Sequence, residues 1–496
     1  MSGSGRSAKV LKAILAGAGV LYVAAYLLTA LARIAYPYEL EAMEGGMVDH
    51  VLQLLGGGTL YGPPSLGFVP YAYPPLYFYL AAALTRLLGA GFLPLRLISL
   101  AASLGVMVLV YSFVRRETRQ RSWAFVAAAL FAATYRLSDA WLDLARIDSL
   151  YLLLILLFAF LVRFHSGRGG FTAPALVLLL AFLTKQSAPM IALPLLAYAV
   201  FFEKRRGAWL LGLSAALTAG AVWIMNLVHH GWYTYYIFDL TGQRWAQKVV
   251  PRRIAGFWTD DMLKPLGVAL FLFLAFLLFE WGSEGKKRFF FYAAFAAGMI
   301  GSAWFSRLEY GAYGNALLSA HAMLAIGFGL GISRFWGAAA APAFRTFLFA
   351  AALVQLALLA YNPLPLVPDA ADRRAGDHLV RTLKALPGDV MVPGHGFLTH
   401  MAGKRRFAHE VALKNLTRID RGPVGAALER EVEQAIAGRR FAALVLDTPN
   451  WFRPVLERGY EFRRAVFPDR AHFWPVSGTR RRPNLIYLPK KSPKFP

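Results

Sequence analysis

The sequence predicts an α-helical polytopic membrane protein with about eleven transmembrane helices, followed by a small α/β domain. Three observations carry this expectation. The chain is 57% hydrophobic, with a mean hydropathy of +0.46. A spanning helix needs about 20 mostly apolar residues, and stretches of that length recur from Val10 to Tyr361 and then cease. Short loops rich in Lys and Arg all fall on one side when the stretches are counted alternately, as cytoplasmic loops do. The chain therefore divides into a membrane region, 1–361, and a domain of ordinary mixed composition, 362–496.

The elements follow in order. The apolar run 13–32 comes after Arg6, Lys9 and Lys12 and includes Ala30-Leu31-Ala32, which resembles a signal cleavage site. It exceeds the ~7–15 apolar residues of a signal core, so it reads as an uncleaved first span with a cytoplasmic N-terminus. Residues 34–74, rich in Gly, Pro and Tyr, then lie outside. The apolar segment 74–89 is short for a span, at about 16 residues. Counting it as one would place Arg115, Arg116, Arg119 and Arg121 outside, so it reads as a juxtamembrane helix.

Further spans are expected at 92–114, 122–138, 147–164, 171–184, 188–202, 208–228, 264–281, 289–305, 316–333 and 343–361. Arg163, Lys204-Arg205-Arg206, Lys286-Lys287-Arg288, Arg334 and Arg345 mark the inward ends. This parity makes the protein a multi-pass cell-membrane protein and puts 362–496 outside the cytoplasm. In that domain helices are expected at 378–386 and 424–437, and strands at Val390–Val392, Ala442–Leu446 and Leu485–Leu488. It carries 24 Lys/Arg against 13 Asp/Glu, which suits anionic headgroups or an acidic acceptor and equally an ordinary solvated surface.

A net charge of +25 is explained by cytoplasmic loops and does not call for nucleic acid. The absence of cysteine excludes disulfides, zinc-thiolate sites and cysteine nucleophiles. His229-His230 lacks further ligands at metal-site spacing, and nothing in the sequence requires a cofactor or a divalent metal.

The polar residues then sort by depth. Glu44 and Asp49 fall in the first outer loop. Asp139, Asp143, Arg146 and Asp148 fall where one span ends outside and the next begins. Lys185 lies between two spans, 229–262 form a long outer loop, and Arg307, Tyr313 and Asn315 fall in the last short one. Ionisable groups at membrane depth line cavities or pair with one another; at span ends they are also commonly just solvated. Carboxylates facing cations at the outer leaflet suit sugar transfer from a lipid phosphate: a carboxylate takes the nucleophile's proton and a cation stabilises the leaving phosphate. Glu44 is the expected base and Asp49 the alternative. Arg146, Lys185 and Arg307 are expected at the phosphate, with Asp148 orienting Arg146 or the acceptor; the competing reading pairs Arg146 with Asp148 as a helix cap. Tyr71, Tyr73, Tyr313 and Asn315 are the expected substrate contacts.

Four fragments resemble the GT-C superfamily of membrane glycosyltransferases, most closely the protein O-mannosyltransferase and lipid A aminoarabinose transferase branch. Glu44-Gly45-Gly46 to Asp49, then Leu54-Leu55-Gly56-Gly57 to Leu60-Tyr61, is similar to the family's acidic loop and Gly-aromatic turn. Tyr73-Pro74-Pro75-Leu76-Tyr77-Phe78-Tyr79-Leu80 resembles its juxtamembrane helix, Ala145-Arg146-Ile147-Asp148-Ser149-Leu150 its Ala-Arg-x-Asp helix start, and Phe182-Leu183-Thr184-Lys185 its Thr-Lys motif. Met43 stands where the family often has Asp, and Gln186-Ser187-Ala188-Pro189 replaces a Gly-Pro. Tyr73 stands where aminoarabinose transferases place Lys, which argues against that substrate. The resemblance implies a polyprenyl-phosphate-linked monosaccharide donor, a glycan, lipid or protein acceptor, inversion at the anomeric carbon and no direct use of a nucleotide sugar. The alternatives are a lipid or solute transporter, for which inverted repeats would be expected and none is seen, and a non-catalytic scaffold of the same fold.

The topology is testable directly. A reporter active only in the cytoplasm, fused after Lys494, is expected to be silent; strong activity would mean that one span, most simply 74–89, had been miscounted.

Overall fold

The computed structural model describes residues 2–165, 172–247, 249–282, 286–309, 311–338, 341–420, 422–468 and 471–490; Lys494 lies outside them. The chain is 69% helical, as a bilayer demands, because only helices satisfy every backbone group within one apolar segment. Helices coincide with each expected span. Six described helices are long and apolar enough to cross a membrane: Val10–Arg33, Phe92–Thr118, Arg205–Val228, Arg253–Trp281, Lys286–Arg307 and Gly314–Ala338. Shorter apolar helices at Leu76–Leu88, Arg121–Ala133, Thr172–Thr184 and Ala188–Glu203 complete the bundle, together with Asp148–Phe164 and Pro342–Ala357.

Helix Gly314–Ala338 is the centre, with 94% of its apolar window buried. Its glycines explain how neighbours approach it. A Cβ at Gly327 would stand 2.3 Å from the Phe273 ring, one at Gly329 would stand 2.8 Å from Val114 and Ala127, and one at Gly331 would stand 2.4 Å from the Leu272 carbonyl. Small residues let backbones close on one another where lipid supplies no hydrophobic drive between helices. Helix Arg205–Val228, by contrast, is peripheral and turns Trp223, Ile224 and Leu227 outward.

Two expectations are corrected. The span expected at 122–138 ends as a helix at Ala133. Residues 134–147 instead form tight turns, with φ of 52° at both Asp139 and Ala140, because their polar groups serve a buried network: Arg33 bonds Asp143 through Nε (2.8 Å) and Nη2 (2.6 Å), and Tyr135 donates to the same carboxylate at 2.7 Å. The expected long loop 229–262 is mostly helical, with π-turns at Tyr235–Asp239 and Phe257–Leu263. Its aromatic residues pack on the 34–75 segment; Tyr61 meets both His229 and Tyr233 edge-on.

After Leu364 the chain forms a four-stranded sheet. Strands β1 (Val390–Met391), β2 (Ala443–Leu446), β3 (Tyr460–Ala465) and β4 (Leu485–Pro489) lie in the order β1-β2-β4-β3. β1 and β2 are parallel and the other pairings antiparallel. Strand β3 and helix Glu410–Ile419 were not expected from the sequence. The β3 sequence Tyr-Glu-Phe-Arg-Arg-Ala is polar on an exposed edge and gives no apolar alternation.

The loop 34–43, between the first helix and Glu44–Leu55, is held by a second buried pair. Arg96 and Glu44 are both fully inaccessible, and Nε and Nη2 meet the two carboxylate oxygens at 3.0 and 2.6 Å. The guanidinium also donates to the carbonyls of Tyr36 and Tyr38, each at 2.7 Å. The carboxylate accepts the amides of Leu40 (2.7 Å) and Ala145 (2.6 Å). Breaking one partner of such a pair leaves an uncompensated charge and costs about 3–5 kcal/mol. Arg96→Ala is therefore expected to lower the melting temperature sharply or to prevent accumulation in the membrane; a wild-type melt in detergent would remove the pair from the scaffold.

Candidate functional site

With Glu44 and Arg96 closing the base of the loop, three other charged chains converge beside it. Glu41 lies in the loop itself, Arg146 in the turn before helix Asp148–Phe164, and Lys185 in the turn between Thr172–Thr184 and Ala188–Glu203. Arg146 Nη1 donates to Glu41 Oε2 at 2.8 Å, and Nη2 donates to the Tyr73 hydroxyl at 2.9 Å. Its guanidinium lies over both Tyr73 (5.8 Å) and Trp141 (5.2 Å). Trp141 Nε1 then donates to Asp148 Oδ2 at 2.9 Å, and Lys185 Nζ donates to Asp148 Oδ1 at 2.9 Å. Asn315 adds a donor to Oδ1 at 3.3 Å, and Tyr313 stacks on Trp141, 6.3 Å between centroids and 13° between planes. A narrow cleft opens beside this chain, lined by Asp148, Tyr151, Lys185, Ser306 and Asn315.

The electrostatics separate the two carboxylates. Glu41 is almost fully buried. Burial pushes its pKa above the ordinary value, and the Arg146 charge offsets this only in part. Met43 donates its amide to the same oxygen as Arg146 (3.1 Å), so Oε1 has no hydrogen-bond donor among the described residues. Arg146 Nε is buried and also lacks a partner. Asp148 is saturated by three donors. For Lys185 burial works against the ammonium, but Asp148 more than compensates and its pKa is raised, so it stays charged.

The expected residues are thus partly gathered. Arg146, Asp148, Lys185, Tyr73, Tyr313 and Asn315 form one constellation. Glu44 is not part of it: both its oxygens are committed to Arg96 and two backbone amides, which leaves it no capacity to receive a proton without breaking the loop. Asp49 lies elsewhere, against Arg406 at 3.7 Å. Arg307 is engaged by Asp261, at 2.8 and 3.2 Å, and by the Ala312 carbonyl. Tyr71 packs inside on His50, with ring centroids 4.5 Å apart. The pairing of Arg146 with Asp148 as a helix cap is replaced by two separate pairs, Arg146–Glu41 and Lys185–Asp148.

The residues missed from sequence are Glu41 and Trp141. The Glu41-Ala42-Met43-Glu44 spacing held the signal. Two acids three apart, at a loop-to-helix junction, leave one to face the Arg96 scaffold and one to face Arg146.

The C-terminal segment also reaches the site. Ser477 donates its amide to the Leu40 carbonyl at 3.1 Å and its hydroxyl to Asp139, and Thr479 meets the Tyr313 hydroxyl. Gly478 lies against Glu41, where a Cβ would come within 2.9 Å of Cγ. His395 is clamped between the Glu39 and Asp447 carboxylates. Burial opposes its charged form, yet those two acids hold its pKa well above the usual value.

Residues 72–232 match the family model described as dolichyl-phosphate-mannose-protein mannosyltransferase. Among solved structures, ArnT from Cupriavidus metallidurans in the apo state superposes with a TM-score of 0.61 at 12% identity, over 94% of this chain and 97% of that one. The same protein bound to undecaprenyl phosphate gives 0.58 at 13% identity over the same shares. No curated protein matches in sequence. Identity this low establishes a shared fold, the GT-C fold, across nearly the whole length.

Proposed function

We propose, on the premise of this GT-C fold, that the protein transfers a monosaccharide from a polyprenyl-phosphate donor to a hydroxyl or amine of an acceptor outside the cytoplasm, with inversion. The observation that carries this reading is the Glu41–Arg146–Trp141–Asp148–Lys185 chain, a continuous run of contacts that joins a carboxylate with one free oxygen to two cations and reaches the cleft at Asp148 and Lys185. Binding of undecaprenyl phosphate by a structure of the same fold supports the donor class.

The acceptor's oxygen or nitrogen attacks the anomeric carbon on the face opposite the phosphate, and the bond from that carbon to the phosphate oxygen breaks. Glu41 takes the acceptor's proton. Its raised pKa makes it a better base near neutral pH than an ordinary glutamate. The departing polyprenyl phosphate gains charge, which Arg146, through its unused Nε, and the Lys185 ammonium stabilise more than they stabilise the donor. Arg suits directional phosphate contact and Lys acts as a compact charge. Asp148 is a positioning residue, holding Lys185, the Trp141 indole and Asn315 in one plane of contacts. The stacked Trp141–Tyr313 pair offers a face for the sugar ring.

Release of free polyprenyl phosphate from a radiolabelled polyprenyl-phosphate sugar tests this; a transporter or scaffold would release none. Glu41→Gln is expected to lose about 10²–10⁴ in turnover with a smaller drop in melting temperature than Glu44→Gln, whose carboxylate holds Arg96 and two backbone amides. Wild-type turnover in Glu41→Gln would end its assignment as base.

The pH profile gives an independent check. A base must be ionised, and its pKa is raised, so the acid limb of kcat/KM should fall above the ~4.3 of an ordinary glutamate. That limb should disappear in Glu41→Gln.

Lys185→Ala and Arg146→Ala are each expected to lower turnover at least ten-fold, about 1.4 kcal/mol in the barrier. Wild-type turnover in both at equal membrane abundance would exclude them from the phosphate's surroundings.

A further inference from the structure

A second cavity lies away from the Asp148–Lys185 cleft, about 500 Å³ in volume, between helix Glu44–Leu55, the turn at Ser65–Phe68 and residues 400–407 of the C-terminal segment. The three walls are joined by backbone and side-chain bonds: the Ala408 amide donates to the Leu66 carbonyl at 2.9 Å, and Arg406 Nη1 donates to the Asp49 carbonyl at 2.8 Å. Lys404, Arg405 and Arg406 line it, with Phe68 and Phe407 as its apolar surfaces. Asp49 stands in its buried wall, 5% exposed, and neither carboxylate oxygen has a hydrogen bond. Its nearest cation is Arg406, whose Nη1 stands 3.7 Å from Oδ1, so the carboxyl keeps unused hydrogen-bonding capacity. Burial pushes the Asp49 carboxyl up to about 8, with Arg406 offsetting only part. That shift favours the protonated form, which donates as well as accepts.

The position of the cavity connects it to the chemistry. Asp49 is on the helix that follows Glu41. From the Phe68 edge of the cavity a file of rings runs inward: Phe68 on His50 (4.9 Å), His50 on Tyr71 (4.5 Å), Tyr71 on Tyr73 (6.2 Å), and Tyr73 on the Arg146 guanidinium. His50 accepts the Tyr71 amide through Nε2 at 2.7 Å and donates from Nδ1 to the Gly46 carbonyl at 2.6 Å, which fixes the file rigidly. The cavity lies across this wall from the two cations assigned to the donor phosphate.

We infer that this cavity is an acceptor subsite that takes an acidic sugar residue, one bearing a phosphate or a carboxylate. Arg405 and Arg406 meet the anion, the Asp49 carboxyl engages a sugar hydroxyl, and Phe68 and Phe407 cover the ring face. Lys404 holds the rim in place by donating to the Leu386 and Gly388 carbonyls at 2.6 and 3.1 Å, and adds its charge. That the occupant is the acceptor rests on the proposed glycosyl transfer; that the cavity binds an acidic sugar does not.

The test measures binding to the purified full-length protein in detergent, without donor, by calorimetric titration of glucose 6-phosphate, glucuronate, glucose and sn-glycerol 3-phosphate. Both acidic sugars are expected to bind, with glucose and glycerol 3-phosphate at least ten-fold weaker. Arg405→Ala is expected to weaken the acidic sugars by ten-fold or more at an unchanged melting temperature, and Asp49→Leu to narrow the gap between glucose 6-phosphate and glycerol 3-phosphate. Lys185→Ala should bind as wild type. Equal binding of glucose and glucose 6-phosphate would overturn the inference. So would equal binding of glycerol 3-phosphate, which would mark the cavity as a reader of lipid headgroups. If the arginine variant does not fold, Arg405→Gln alone serves: binding indifferent to it and to glucuronate's charge would also overturn the inference. Failure of sugar transfer with these affinities intact would count against the proposed reaction and leave the subsite standing.

Discussion

The Arg96–Glu44 pair sets where everything else at this end of the bundle can stand. Neither group has access to solvent, so each depends on the other and on the backbone groups around them. Through those groups the pair joins three pieces of chain distant in sequence: the loop carbonyls at Tyr36 and Tyr38, the amide at Leu40, and the amide at Ala145 that immediately precedes Arg146. One carboxylate thus fixes both the loop that carries Glu41 and the turn that carries Arg146. The 2.8 Å contact between those two follows from it. The Arg33–Asp143 pair does the same from the other side, anchoring the 134–147 turns and, through the Leu366 carbonyl, the start of the C-terminal segment.

This arrangement explains why the acids of the region divide into two kinds. Glu44 and Asp143 have every oxygen occupied and act as structure. Glu41 and Asp49 each keep unpaired capacity while buried, which is costly for folding and useful for chemistry. Asp148 is intermediate: fully bonded, but to the buried Trp141 indole and to Lys185 and Asn315, which themselves line the cleft. Substrate-facing groups therefore rest on a rigid inner frame of ion pairs, so that small errors in loop position are not passed to the reacting atoms.

The C-terminal segment belongs to this frame. Glu39, His395 and Asp447 form a buried carboxylate–imidazole–carboxylate contact that docks it to the loop, His409 reaches the Ala42 carbonyl at 3.2 Å, and Ser477 reaches Leu40. The Glu39 carboxyl is pushed up to about 7, chiefly by burial. The position of Glu41 is consequently shared between the helical bundle and residues more than three hundred positions later, and Gly478 is small because a side chain there would occupy the space of Glu41.

The sequence by itself determined the class of fold, and the reason is period and length: runs of apolar residues long enough for a bilayer admit only helices. It also indicated that Arg146, Asp148 and Lys185 come together, because cations and acids retained beside apolar helices find each other. The tertiary structure alone decided which acid does what. Glu41 and Glu44 are chemically alike and three residues apart, and nothing local distinguishes them; the difference lies in Arg96 and Arg146, which arrive from helices far along the chain. It also decided that Asp49 faces a separate basic cavity and that Arg307 is spent on Asp261, since local sequence gives the depth of a charge in the membrane but not the partner that packing brings to it.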